Sequence, residues 1–193
     1  MATIQHSALT DPEVHEPKDI TTAEAGAVYV ADGSGSGAWA LPSAHSYGEL
    51  YISAGVTAQT LPAASGTAKL NPTGEWTTNG TSNVTLSAAN GTITIITAGE
   101  YLVNFWITFN TASIASGAKY NFHYAVNGTP SARKLITAKN TSGVDTLNLS
   151  ATGITALATN DVLTIYVGGD GTSSSTAITP LEAGFSVVLL QPT

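Results

Sequence analysis

The residues that could do chemistry are few, and their spacing does not gather them. Seven carboxylates follow residue 45: Glu49, Glu75, Glu100, Asp145, Asp161, Asp170 and Glu182. A glycosidase needs two such groups facing each other across a groove. Here Asp170 stands in Gly-Gly-Asp-Gly, and Glu100, Asp161 and Glu182 each adjoin the start of an apolar run, which are ordinary turn and strand-end positions. Asp170-Gly171 with its neighbouring Ser and Thr lacks the alternating oxygen ligands of a calcium loop. The run Gly33-Ser34-Gly35-Ser36-Gly37 has no lysine to reach a phosphate, and no helical pattern follows it. His15-Glu16-Pro17 does not extend into a His-Glu-x-x-His helix, and no Gly-x-Ser-x-Gly elbow is present. His6 and His15 lie nine residues apart in an irregular stretch; polar docking contacts account for them better than a metal shared across a symmetry axis. With no cysteine in the chain, thiol catalysis, thiolate zinc and a disulfide framework are excluded. The expectation is a protein that is not an enzyme and uses no cofactor or metal.

The elements that would have to position any site are strands. The 193 residues include 29 Thr and 18 Ser, about a quarter of the chain, against one Met and only 10% charged residues. Helical surfaces are normally filled with Glu, Lys, Arg and Gln, whereas Thr, Val, Ile, Tyr and Gly suit pleated strands and tight turns. Period-two alternation is clearest over 101–109, where Tyr101, Val103, Phe105, Ile107 and Phe109 fall on one face and Leu102, Asn104, Trp106 and Thr108 on the other. A second strand, Tyr120 to Val126, runs into Asn127-Gly128, the strongest short hairpin signal. Further strands are expected at 84–87, 92–96, 133–138, 146–150, 162–167 and 185–190, with no useful helix after residue 45. About ten strands in this length make one sandwich or jelly roll. Several strands are apolar on both sides, with Trp106 opposite Phe105, Tyr166 opposite Ile165, and Val188 and Leu190 opposite Val187 and Leu189. One face is expected to fill the core, with Phe105, Ile165 and Val187, and the other to meet a second subunit, with Trp106, Tyr166 and Val188 near a threefold axis.

The charges divide the chain. Residues 1–45 hold six carboxylates against Lys18 alone, net −5 of the total −7, and the remainder is nearly neutral. A phosphate-binding face is absent, and the local cluster Arg133, Lys134, Lys139 reads as solvated edge charge, so nucleic acid is not an expected partner. No segment approaches the ~20 apolar residues of a membrane span, and the N-terminus lacks the pattern of a signal peptide. The Asn-x-Ser/Thr triplets therefore carry no glycosylation argument, and synthesis in a cytoplasm is expected. In the acidic part, Leu9-Thr10-Asp11-Pro12-Glu13 can start one helical turn, which Pro17 stops. Residues 26–42 read as strand, glycine turn, strand. So few apolar residues cannot bury a core, so residues 1–45 are expected to be an extended arm ordered against a partner, and 46–193 a globular knob.

The C-terminal runs Ala98-Gly99-Glu100-Tyr101-Leu102-Val103-Asn104-Phe105, Tyr124-Ala125-Val126-Asn127-Gly128, Leu157-Ala158-Thr159-Asn160-Asp161-Val162-Leu163-Thr164-Ile165 and Gly184-Phe185-Ser186-Val187-Val188-Leu189-Leu190 resemble, in order and spacing, the trimeric jelly rolls of tumour necrosis factor and the globular heads of complement. Asn160 stands where that family usually has Gly. The N-terminal run 6–18, followed by Ala25-Gly26-Ala27-Val28-Tyr29-Val30-Ala31-Asp32-Gly33 and Gly37-Ala38-Trp39, resembles the leading segment of head-fibre, decoration or cement proteins of tailed bacteriophages. The resemblances imply an all-β antiparallel jelly-roll sandwich that trimerises. They also imply a capsid-binding arm using His6, Leu9, Asp11, Pro12, His15, Tyr29 and Trp39, the major capsid protein as partner, and a place on the virion exterior. The alternative is a head- or tail-fibre module that binds cell-surface glycans through knob loops, around Trp76 as a stacking platform and along 113–119 and 168–176.

Overall fold

The computed structural model describes residues 23–31, 37–40, 45–62, 66–70, 74–112, 117–141, 144–169 and 177–193. The fold divides into Met1–Ala44 and His45–Thr193. In the first unit, β1 (Val28–Ala31) and β2 (Gly37–Ala40) form an antiparallel hairpin in which Tyr29 faces Trp39 directly. Their rings meet edge to face at 5.5 Å and 72°, the favoured geometry for two quadrupoles. The other side of the hairpin shows Val28 and Val30 to solvent, each about half exposed.

The second unit holds thirteen strands among its described residues. They are β3 (Tyr47–Ile52), β4 (Gln59–Thr60), β5 (Thr67–Lys69), β6 (Thr77–Ser82), β7 (Val84–Ser87), β8 (Thr92–Ile95), β9 (Gly99–Thr111), β10 (Lys119–Val126), β11 (Thr129–Pro130), β12 (Ile136–Lys139), β13 (Thr146–Leu157), β14 (Val162–Gly168) and β15 (Ala177–Pro192). Two antiparallel sheets result. One has the order β13-β9-β15-β3-β6 with β4 added to β15; the other runs β11-β10-β14-β8-β7, with β12 on β10 and β5 on β14. We call them the terminal sheet, because β3 and β15 lie in it, and the distal sheet.

The alternation in β9 decides the core. Tyr101, Val103, Phe105, Ile107 and Phe109 are all at most 1% exposed, and they face the distal sheet across the sandwich. Phe105 packs on Phe122 at 5.3 Å, and Phe109 packs on Tyr120 and Phe122 at 5.4 and 5.5 Å. These contacts tie β9 to β10, each pair adding about 0.5–1.5 kcal/mol beyond the area it buries. Ile165 and Val187 complete the same core, as expected. The Asn-Gly signal is realised as a tight β10–β11 turn with Asn127 and Gly128 both at positive φ, 52° and 77°. The Asn127 side chain also leaves the turn: its Nδ2 donates to Asp161 Oδ1 at 2.7 Å, and its Oδ1 accepts from the Val162 amide at 2.9 Å. This latches the hairpin to the start of β14.

Several strands differ from the sequence reading. β13 continues to Leu157 and β15 begins at Ala177, because both pair with the full length of β9 and gain a hydrogen-bond ladder that local pattern does not announce. Arg133 and Lys134 lie before the strand β12, which starts at Ile136. Trp76 is no exposed stacking platform. It is 5% exposed, and its indole Nε1–H donates to the Leu70 carbonyl at 3.2 Å, which satisfies the one polar atom of a large apolar ring and lets it enter the core.

Candidate oligomerisation surface

With odd residues of β9 turned inward, its even residues form the outer face of the terminal sheet, and the pairing register lays neighbouring strands beside them. Residues directly opposite in antiparallel strands project from the same side. Tyr47, Val188, Leu102 and Ile154 therefore form one row across four strands. The next row is Glu49, Ser186, Asn104 and Thr152, and the third is Tyr51, Gly184, Trp106 and Ser150. The first row is wholly apolar save for one phenol. At about 4.8 Å between strands it is about 15 Å wide.

Four of the exposed large apolar side chains among the described residues gather on this face. Tyr47 is 43% exposed, Trp106 39%, Ile154 55% and Val188 38%, although the core behind them is fully packed. The polar row between is satisfied internally: Thr152 Oγ1 donates to Asn104 Oδ1 at 3.0 Å, Asn104 Nδ2 approaches Ser186 Oγ at 3.5 Å, and Asn79 Nδ2 donates to Glu49 Oε2 at 2.7 Å. The neutral amides and hydroxyls so paired can be covered by protein without the 1–3 kcal/mol that an unmet partner costs, whereas covering the charged Glu49 carboxylate costs more. The indole of Trp106 packs against Gly184, since its Nε1, Cε2 and Cζ2 fill the space a Cβ there would take. Beside the apolar row, Tyr47, Glu49, Asn79, Gly80, Ser186 and Val188 border an open hollow of about 280 Å³.

The three expected interface residues do not meet. Trp106 and Val188 share the outer face of the terminal sheet, but Tyr166 belongs to β14 of the distal sheet, where it pairs with His123 and Lys69. Alternation correctly turns Tyr166 away from the core; it leaves from the opposite side of the sandwich because its strand joins the other sheet. Tyr47 and Ile154 take its place. The sequence signal for Ile154 is the alternation Asn148, Ser150, Thr152, Ile154, which continues beyond residue 150.

Of the expected arm residues, Tyr29 and Trp39 face each other in the β1–β2 hairpin, whereas His6, Leu9, Asp11, Pro12 and His15 lie outside the described residues. So do most of the loops 113–119 and 168–176. Among the described residues, no group of three or more His, Cys, Asp or Glu is arranged to hold a metal ion. No helix there is long and apolar enough to cross a membrane.

No family model matches this chain, and no curated protein matches it. Solved structures do. Eiger TNF from S. frugiperda superposes with a TM-score of 0.50 at 10% identity, covering 77% of this chain and 95% of that one. The globular domain of zebrafish complement 1qA protein gives 0.50 at 14% identity, covering 77% and 99%. At such identities the likeness is one of fold. The chain carries an all-β antiparallel jelly roll of the kind seen in tumour necrosis factor and complement heads.

Proposed function

We propose that this jelly roll is the trimerising knob of a virion structural protein, and that residues 1–45 are the arm by which it decorates and cements the outer surface of a phage capsid. The observation that carries the reading is the outer face of the terminal sheet. An apolar row four strands wide, with the adjoining polar row already hydrogen-bonded, suits burial against further copies of the same chain. The partition of charge supports the arm. A stretch of net −5 with few apolar residues is suited to ordering on a partner surface rather than on a core of its own, and the resemblance of its sequence to capsid-binding leading segments gives that partner as the major capsid protein.

The physical advantage is multivalency. Three arms on one knob release only when all let go, so avidity exceeds the affinity of one arm by about 10²- to 10⁴-fold without any new contact. Cementing a shell in this way requires no catalysis.

The test uses purified capsids lacking the protein. Full-length chain is expected to bind them and to appear as external knobs by electron cryomicroscopy. The chain without residues 1–45 is expected to remain trimeric by sedimentation and to bind no capsid. Undiminished binding by the truncated chain, or a monomeric parent at micromolar concentration, overturns the reading.

A further inference from the structure

A threefold ring is closed by heterologous contacts: away from the axis, a patch on one copy meets a different patch on the next. The outer face of the terminal sheet therefore needs a counterpart elsewhere on the same chain, and its charge says of what kind. The strands of this sheet carry Glu49, Glu100 and Glu182 and no Lys or Arg. All three acids leave from the outer face, Glu49 opposite Ser186, Glu100 opposite Gln191 and Glu182 opposite Thr108. Glu49 is the one set between apolar rows, with Tyr47 and Val188 on one side and Tyr51 and Trp106 on the other. One of its oxygens accepts from Asn79 Nδ2 at 2.7 Å. The hollow of about 280 Å³ opens beside it, roughly twenty times the ~10–15 Å³ that one water needs. A carboxylate covered there without a cation is costly.

The sheet ends at β6 and at β13. β6 offers only Thr, Ser, Asn and Gly. β13 is different: its twelve residues contain no charge and no Pro, and it pairs with β9 in unbroken register, so it lacks the devices that keep an edge strand solitary. Ile154 stands 55% exposed on it. The loop 131–135, between β11 and β12, closes the sandwich beneath this edge. A Cβ on Gly153 would stand 3.6 Å from Leu135 Cδ2. The Tyr124 hydroxyl bonds the Ser131 and Thr155 side chains, which with the nearby Arg133 charge hold the phenol below its ordinary pKa despite burial. Backbone bonds fix both ends of the loop, the Ser131 amide to the Tyr124 carbonyl at 2.9 Å and the Leu135 amide to the Phe122 carbonyl at 2.8 Å. Arg133 and Lys134 are exposed between them.

The levels agree. Rotation about an axis along the strands moves nothing along that axis, so residues that meet across the ring lie at one height. Ser131 is level with Thr155 and Leu135 with Gly153, which puts Arg133 and Lys134 at the height of Ile154, in the row of Tyr47 and Val188. Glu49 lies one row on, two residues or about 7 Å, within the span of an extended arginine or lysine. Glu182 lies two rows beyond Glu49.

We propose that the Arg133-Lys134 loop of one copy enters the hollow on the next and pairs with Glu49 there, closing the ring with three intersubunit ion pairs. This pairing rests on the trimer proposed above and adds what each subunit gives: the β13 edge with its basic loop on one side of the contact, the outer face with its carboxylate on the other.

The full chain and its charge-reversed variants are sedimented over a series of concentrations, with far-ultraviolet circular dichroism on the same samples. Glu49→Arg, and Arg133→Glu with Lys134→Glu, are each expected to raise the dissociation constant by at least about thirtyfold for each contact in the ring. Combined in one chain, the three changes are expected to restore the trimer. Glu182→Arg, which alters the charge of the same face away from the hollow, is expected to sediment as the parent. If Glu49→Arg loses its β spectrum, Glu49→Gln in a double-mutant cycle with Arg133→Gln and Lys134→Gln reads the same coupling. A trimeric parent whose reversed variants stay trimeric, a combined variant that stays dissociated, or an additive cycle overturns the ion pair and leaves the trimer standing. A monomeric parent overturns both.

Discussion

Replacing Trp106 by Asp is expected to turn the proposed trimer into folded monomers. Trp106 is 39% exposed, and on a side chain presenting up to about 250 Å² this leaves about 100 Å² for a neighbouring copy to cover. At about 25 cal/mol per Å² that area contributes about 2.5 kcal/mol per subunit. A closed trimer repeats it three times, so about 7 kcal/mol of association energy is lost, roughly five powers of ten in the dissociation constant. The same substitution also removes about 150 Å² that the protomer itself covers, at about 4 kcal/mol, a large part of the ~5–15 kcal/mol that holds a domain folded. Ile154→Asp separates the two effects. Ile154 is 55% exposed on the edge strand β13, so its loss costs the fold only about 1 kcal/mol while placing a charge in the same apolar row. Sedimentation at micromolar concentration, with far-ultraviolet circular dichroism on the same samples, reads both. Each variant is expected near the 19.6 kDa of one chain with its β spectrum retained. If Ile154→Asp and folded Trp106→Asp both sediment as the parent oligomer, the terminal sheet is not the interface.

Gly184→Ala tests the seat of that indole. A Cβ there would stand 2.8 Å from Trp106 Cζ2 and closer still to Nε1 and Cε2, so the ring must lift. Overpacking of this kind costs about 1–3 kcal/mol, or a Tm lower by about 3–10 °C by calorimetry, with altered tryptophan fluorescence; unchanged Tm and emission rule out the contact between the indole and Gly184. Glu75 gives a pH dependence. Burial alone would raise its carboxyl, but the Thr57 hydroxyl and the Val56 and Thr57 amides, the latter at 2.8 and 2.6 Å from Oε1, outweigh burial and hold the pKa below its ordinary value. A depressed carboxylate contributes stability above its unfolded pKa and loses it as pH falls through the folded one. Glu75→Gln is therefore expected to reduce the difference between urea midpoints at about pH 7 and about pH 3; an unaltered difference shows that the loop 53–57 does not depend on this charge.

The sequence by itself determined which way each strong strand turns. Period-two alternation put Phe105, Ile165 and Val187 inside and Trp106, Tyr166 and Val188 outside, and Asn127-Gly128 demanded a turn of positive φ, because these follow from backbone geometry within a few residues. It also divided the charge between an acidic leader and a nearly neutral remainder. It did not place Trp76, whose burial depends on the Leu70 carbonyl being within reach of its indole N–H. Nor did it end β13 and β15, whose length is set by the partner β9 rather than by their own residues. Only the tertiary structure decided that Trp106 and Val188 share a face while Tyr166 leaves from the other side, and that the three strand-borne lysines, Lys69, Lys119 and Lys139, fall on one sheet. Alternation fixes inside against outside along a strand, but sheet membership is fixed by hydrogen bonds between segments as distant as β9 and β15, and no local pattern carries that information.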